Sequence, residues 1–261
     1  MTVGSDLKED GVARRRGAAR PRAGLGRIIV GCAGLALLHG SKWLVLAVLV
    51  GVGLFGFLLG LLRVADPPGS ALMAQRYLAG TGIEQQWVAI ERISPHLVNA
   101  VVMSEDARFC AHGGIDFREL ERAIDRAAER GERSVRGAST ISMQVVKNMF
   151  LWNDRSLVRK GLEMAMTPMM EVVLPKRRIL EIYLNIAEWG PGVFGAEAAA
   201  RYHFDKSASR LTAREAALLA VTLPNPFERI AGEPGRGLRR LADTIQARMR
   251  SAGAYTQCVK G

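Results

Sequence analysis

Cysteine is scarce in this chain. Three thiols in 261 residues exclude a fold built on a dense disulfide framework. Cys32 sits in an apolar run, and 148 positions separate Cys110 from Cys258. Those two could pair in an oxidising compartment, but sequence does not show proximity, and buried or inert thiols are the better expectation. Cys110-Ala111-His112 offers two ligands, too few for zinc, so no metal site is read from the sequence. Aromatic residues are few, at 6%, and no basic stripe carries them. Nucleic acid is therefore not read as the partner of this basic protein. Internal repeats are absent. Strand signals are nearly so, since only Gln86–Ile90 reads weakly as one, and what remains is a mainly α chain.

Hydrophobic residues make up 49% of the sequence, enough for one medium-sized core plus a tail. The net charge of +11 is uneven: residues 1–42 hold eight Lys or Arg against three Asp or Glu. The rest of the chain carries a modest excess, suited to an anionic substrate or a lipid surface. Residues 1–42 read as a basic tail, largely disordered, because so polar a start cannot bury enough apolar surface. Residues 43–62 are twenty without a charge and apolar on every face, the length of a transmembrane helix. The shorter run Ile28–Leu38 is too short to cross alone and reads as interfacial or as a marginal first span. Basic residues crowd before Trp43, so the N-terminus is expected in the cytoplasm. Residues 63–70, with Asp66-Pro67-Pro68-Gly69, read as a linker, and 71–261 as an extracytoplasmic domain.

That domain shows helix signals. Ser94-Pro95 starts one helix, which should end near Ser104-Glu105. Asp116 and Glu119 start another, with Phe117, Leu120, Ile124 and Ala127 or Ala128 as its apolar stripe, and Thr212 with Glu215 repeats the device. From about Ser139, Thr140, Gln144 and Lys147 share one helical face, with Ile141, Val145 and Met149 opposite. Pro168 should interrupt the next helix. Lys176-Arg177-Arg178 then opens a helix with three cations facing its positive dipole end, a cost that a nearby anion or a basic juxtamembrane surface would explain.

Four blocks follow one another in about eighty residues: Ser104–Gly114, Gly137–Asn148, Arg159–Glu163 and Lys176–Asn185. In order, they resemble the peptidoglycan glycosyltransferase family, and within it the monofunctional, membrane-anchored biosynthetic transglycosylases. The likeness runs from about Trp87 to Pro226. It departs from the family's Gly-Gly-Ser-Thr and paired Gln, which stand here as Gly137-Ala138-Ser139-Thr140 and Met143-Gln144. The family's last motif is only loosely suggested by Arg239–Met249.

The resemblance implies a mostly helical, lysozyme-like glycosyltransferase domain behind a single inner-membrane span. Its implied reaction joins lipid-linked disaccharide-peptides, lipid II, to a nascent glycan strand, with membrane lipid and other cell-wall synthesis proteins as further partners. Glu105 is then the catalytic base, and Glu163 a second catalytic carboxylate that orients basic groups or binds donor. Ser139, Thr140, Gln144, Lys147 and Arg159 are assigned to a pyrophosphate cradle, with Lys176 as second choice. Asp106, Phe109, His112 and Asn148 complete the expected substrate-binding set. No cofactor is certain; the resemblance leaves room for a divalent cation, magnesium or manganese. The chain ends without room for a transpeptidase domain, and its one Ser-x-x-Lys, Ser5–Lys8, falls in the tail. Two rivals remain: a glycan-cleaving enzyme and a non-catalytic anchored scaffold.

Overall fold

A computed structural model describes residues 25–131, 137–154 and 156–260, with side chains from Lys42 onward. Most of the tail expected to be disordered, residues 1–24, lies outside the described residues. The first helix, α1, spans Leu25–Val64, so the expected tail boundary at residue 42 coincides with no helix end and Ile28–Leu38 lies within the same helix. Its part Lys42–Val64 is long and apolar enough to cross a membrane. The chain divides near Val52 into an N-terminal unit and a compact unit from Gly53 onward.

In the compact unit, the last turns of α1 belong to the core. Phe55, Leu59 and Leu62 are buried there, and Phe55 meets Phe150 edge-on at 5.1 Å. Arg63 donates to the carbonyl of Val173 at 2.7 Å. Arg178 donates to the carbonyls of Leu62 and Ala65 at 2.8 and 2.7 Å, satisfying acceptors that a helix end leaves unpaired. Residues 63–70 are thus pinned at both ends, because Ser70 caps α2 (Ala71–Leu78) through Met73 N.

Nine helices beyond α1 are described. α3 (Pro95–Glu105) is capped by Ser94 with Pro95 at its first position, as the sequence predicts. α4 (Phe117–Glu129) is capped by Asp116, α5 (Ile141–Phe150) by Thr140 and α6 (Leu157–Val173) by Ser156. α7 (Lys176–Ile186), α8 (Ala196–Phe204), α9 (Ala213–Thr222) and α10 (Arg236–Met249) complete the set, with the Thr212–Glu215 capping box intact. α3 packs on α9 and α10, while α5 lies against α6 and α7. Two fully buried stretches, Ile182–Leu184 of α7 and Ala216–Ala220 of α9, run through the centre of the core.

Four sequence expectations need correction. The strand falls at Glu84–Gln85 (β1), not at Gln86–Ile90; β1 pairs parallel with β3 (Val193–Phe194), which pairs antiparallel with β2 (Glu188–Gly190). Val88 instead finds its partner in the Asn185 side chain, which accepts from Val88 N at 2.8 Å and donates to Val88 O at 2.9 Å. That amide replaces a strand neighbour. α6 continues through Pro168, whose ring lies on the exposed face, so the carbonyl it leaves unbonded is not trapped in the core. The apolar stripe of α4 is only partly its buried side: Phe117 and Ile124 are exposed, while Ala127 of the stripe packs inward with Ala123.

The fourth correction concerns the cysteines. Cys110 and Cys258 form a disulfide with Cα atoms 5.6 Å apart. Arg177 reinforces the same C-terminal segment by donating to Val259 O at 2.7 Å. Cross-links across loops this long contribute about 2–5 kcal/mol, in the entropic account by restricting the unfolded chain. Replacing both cysteines by serine should therefore lower the urea midpoint in detergent by a matching amount. An unchanged midpoint would mean that the bond does no structural work.

Candidate active site

Glu105 is the last residue of α3 and Asp106 is its C-cap, so the carboxylate pair stands where the helix ends and the chain turns. Asp106 is buried and holds that turn. Its Oδ2 accepts from Ile141 N at 3.1 Å, latching the start of α5, a position where negative charge also suits the helix dipole. The Nε2 of His112 lies 3.0 Å from Asp106 Oδ1, and His112 Nδ1 accepts from Gly114 N at 3.2 Å, leaving Nε2 to donate to the carboxylate. Gly114, at φ +99°, lies so close to α6 that a Cβ would meet Thr167 Cγ2 at 2.7 Å. Thr140 donates to Gly114 O at 2.5 Å while capping Met143 N at 3.1 Å.

On α5, Gln144 Nε2 donates to Glu105 Oε2 at 2.9 Å, and Lys147 follows one turn on. Lys147 has no ion pair among the described residues, although Glu105 and Glu163 both act on it. Glu163 is only 2% exposed. It is held between Arg159 and Lys160, the latter at 2.6 Å, and Lys160 also reaches Ser139 Oγ at 3.3 Å. Two cavities lie beside this cluster, and Glu105 lines the first. One of about 220 Å³ is lined by Glu105, Asp116, Glu119, Gly137–Thr140 and Arg248. The other, of about 410 Å³, is lined by Gln144, Lys147, Asn148, Tyr183 and Asn225–Phe227. The Gln144–Glu105 hydrogen bond links the two.

Burial pushes the Glu105 carboxyl above its ordinary range, and Asp106 beside it adds to the rise. Gln144, Lys147 and Arg229 oppose it. Burial also lowers the Lys147 ammonium, helped by Arg159 and Lys160 and resisted by Glu163 and Glu105. A carboxylate and an ammonium, each moved toward neutrality, are suited to accepting a proton and to meeting a departing anion.

The structure brings Glu105, Asp106, Gln144, Lys147, Asn148, Arg159, Glu163, Ser139 and Thr140 to this region, whereas Phe109, His112 and Lys176 line neither cavity. Phe109 is fully buried core, and Asp106, His112 and Thr140 spend their polar atoms on the loop and on α5. Lys176 pairs with Glu171 at 2.8 Å and stacks 4.3 Å over the Phe109 ring. Its neighbours are similarly committed, Arg177 to Glu91 and Arg178 to Glu181 and Asp66. These acids are the nearby anions that three cations at a helix start require. The sequence reading missed Lys160, Tyr183, Arg229 and Arg248. Lys160 was legible, three residues before Glu163 in the same block. Nothing flagged Arg229, which reaches the site from the loop after α9.

A divalent cation does not fit Asp106, whose two oxygens are taken by His112 and Ile141 N. Among the described residues no group of three His, Cys, Asp or Glu side chains is arranged to hold a metal. The chemistry below is routed through side chains alone.

The transglycosylase family profile matches residues 72–250, which include every residue lining the two cavities. The chain belongs to the transglycosylase family. A biosynthetic peptidoglycan transglycosylase of Brucella suis biovar 1 (strain 1330) is 54% identical over 193 residues, covering 74% of this chain and 85% of that protein. One from Rhizobium etli is 49% identical over 216 residues, covering 83% and 90% respectively. Another from Rhodopseudomonas palustris (strain HaA2) is 54% identical over 197 residues, covering 75% and 86%. This transglycosylase is accordingly a glycosyltransferase enzyme, mostly helical, with one N-terminal apolar helix fit for anchoring. Met143, where the family has its first Gln, is buried at 3% exposure, so that departure falls in the core and not in a cavity.

Proposed function

We propose that this transglycosylase polymerises lipid II into peptidoglycan strands for the bacterial cell wall. The observation that carries the reading is Glu105, a half-buried base on the wall of one cavity and bonded through Gln144 to the next, where the ammonium of Lys147 has no ion pair among the described residues. The growing strand, still on its polyprenyl pyrophosphate, occupies the larger cavity, and the incoming lipid II the smaller. Glu105 takes the proton of the acceptor sugar hydroxyl as that oxygen attacks the anomeric carbon. The bond from this carbon to the pyrophosphate oxygen breaks on the opposite face. Attack opposite the leaving group inverts the centre from α to β and forms no covalent sugar–enzyme intermediate. Negative charge developing on the pyrophosphate meets Lys147, with Lys160 near enough to act on that ammonium. Glu163 neutralises Arg159 and Lys160 and keeps them in place rather than touching sugar.

The membrane belongs to this reading. On α6, Leu157 and Val172 are 90% and 86% exposed, and Val158 and Leu162 join them on an apolar outer face. Arg63, at the end of α1, bonds the Val173 carbonyl, so this face begins beside the anchor. An apolar surface next to a span, in an enzyme with lipid-tailed substrates, suits contact with the bilayer. The basic N-terminal segment stays cytoplasmic and the catalytic unit faces the periplasm, across the inner membrane.

A glycan-cleaving enzyme would also use a glutamate, but a neutral glycan gives no role to Lys147. Full-length protein in detergent, given purified lipid II, should yield polymer with β linkages by NMR and release polyprenyl pyrophosphate. Unconsumed lipid II, or cleavage of added glycan strands instead, would overturn the reading.

A further inference from the structure

Tyr183 lies on α7, 1% exposed, with its ring in the core. A buried phenol needs a partner for its hydroxyl, and this one donates to Gln144 Oε1 at 3.1 Å. An amide side chain can present either its oxygen or its NH2 group in a given direction. Glu105, as a carboxylate, only accepts. With Tyr183 occupying the amide oxygen, the NH2 group is the end left to face Glu105, and it does so at 2.9 Å. Three residues from three helices, α7, α5 and α3, thus form one directed chain ending on the catalytic carboxylate.

We propose that Tyr183 is a positioning residue: through Gln144 it fixes the orientation and basicity of Glu105, so that Gln144 serves the base and not the pyrophosphate. The inference rests on Glu105 being the base. Burial, with Glu105 and Asp106 nearby, raises the Tyr183 hydroxyl well above its ordinary range, so it remains a protonated donor throughout the enzyme's working pH. Other groups face Glu105 as well. Asp106 raises its proton affinity from the end of α3, while Lys147 on α5 and Arg229 beyond α9 lower it. Removing the Gln144 donor therefore moves Glu105 in a known direction. A hydrogen bond to the charged form stabilises that form, and its loss raises the pKa further.

Tyr183→Phe keeps the ring and removes only the hydroxyl; Gln144→Leu removes the amide. The Glu105 carboxyl is followed by 13C NMR titration, its signal assigned by its disappearance in Glu105→Gln, alongside the pH dependence of kcat/KM. Tyr183→Phe should raise the Glu105 pKa and the acid limb together by about 0.5–1 pH unit, with Gln144→Leu at least as large. kcat should fall about 10-fold as the base loses its fixed position, while KM for lipid II stays unchanged. An unchanged titration of Glu105 in both variants would overturn the inference, as would a raised KM with kcat intact, which would return Gln144 to substrate binding. The NMR titration needs no turnover. A shifted carboxyl in a protein that makes no polymer would leave the relay standing and remove the polymerase reading instead.

Discussion

Glu105→Gln should remove polymerisation, by at least about 10²–10⁴-fold, in a protein that folds as the wild type does. The replacement is nearly isosteric and removes the proton acceptor alone. Its effect on stability has a definite sign. In the folded state Glu105 binds its proton more tightly than in the unfolded chain, because burial raises its pKa. Such a group favours folding at low pH, and that contribution is lost as pH rises through the raised value. Above that value the ionised side chain is thus a burden on the fold, and the uncharged glutamine should melt there at the same temperature or higher. Wild-type activity should also climb on its acid side above the usual carboxylate range, where Glu105 becomes ionised. Near-normal turnover in the glutamine variant, or an acid limb in the ordinary range, would take the base assignment away from Glu105.

What could be read from the sequence was what local rules determine. The caps at Ser94, Asp116 and Thr212 were legible because each satisfies backbone donors within three residues. Glu105 and Lys147 were legible through ordered blocks, and α5 through its period. What the sequence did not show depends on partners distant along the chain. Thr140 and His112 read as ligand donors, and the fold adds Gly114 and Asp106 as their internal partners. Lys176–Arg178 called for a nearby anion or a basic juxtamembrane surface, and Glu171, Glu91, Glu181 and the end of α1 supply internal partners. Tyr183 falls on a core stripe, and only its hydroxyl, reaching Gln144 across 39 positions, shows a second role. The disulfide, spanning 148, is the extreme case: no local signal marks it.

Lys147→Ala should lower kcat/KM by about 10²–10³-fold, the usual cost of losing one group aimed at charge that develops in the transition state. Two features of the structure single out this cation. Arg159 and Lys160 are tied to Glu163, and Lys176 to Glu171, whereas Lys147 has no such tie among the described residues. Burial has also lowered its pKa, so the folded protein holds the ammonium at a cost whenever it is charged, and the alanine variant should not melt lower on account of lost charge. Arg159→Ala behaves differently. It strips a partner from the buried Glu163 carboxylate, and breaking such a pair costs about 3–5 kcal/mol, so activity and melting temperature should fall together. In wild-type enzyme the ammonium is lost as pH rises through its lowered pKa, which sets an alkaline limb below the ordinary lysine range. Lys147→Ala should lack that limb. Arg118→Ala on the exposed side of α4 serves as the control and should stay within about two-fold of wild type. Equal, small losses at Lys147 and Arg118, with the alkaline limb still present in Lys147→Ala, would make this face of α5 merely solvated and leave the pyrophosphate without its cation.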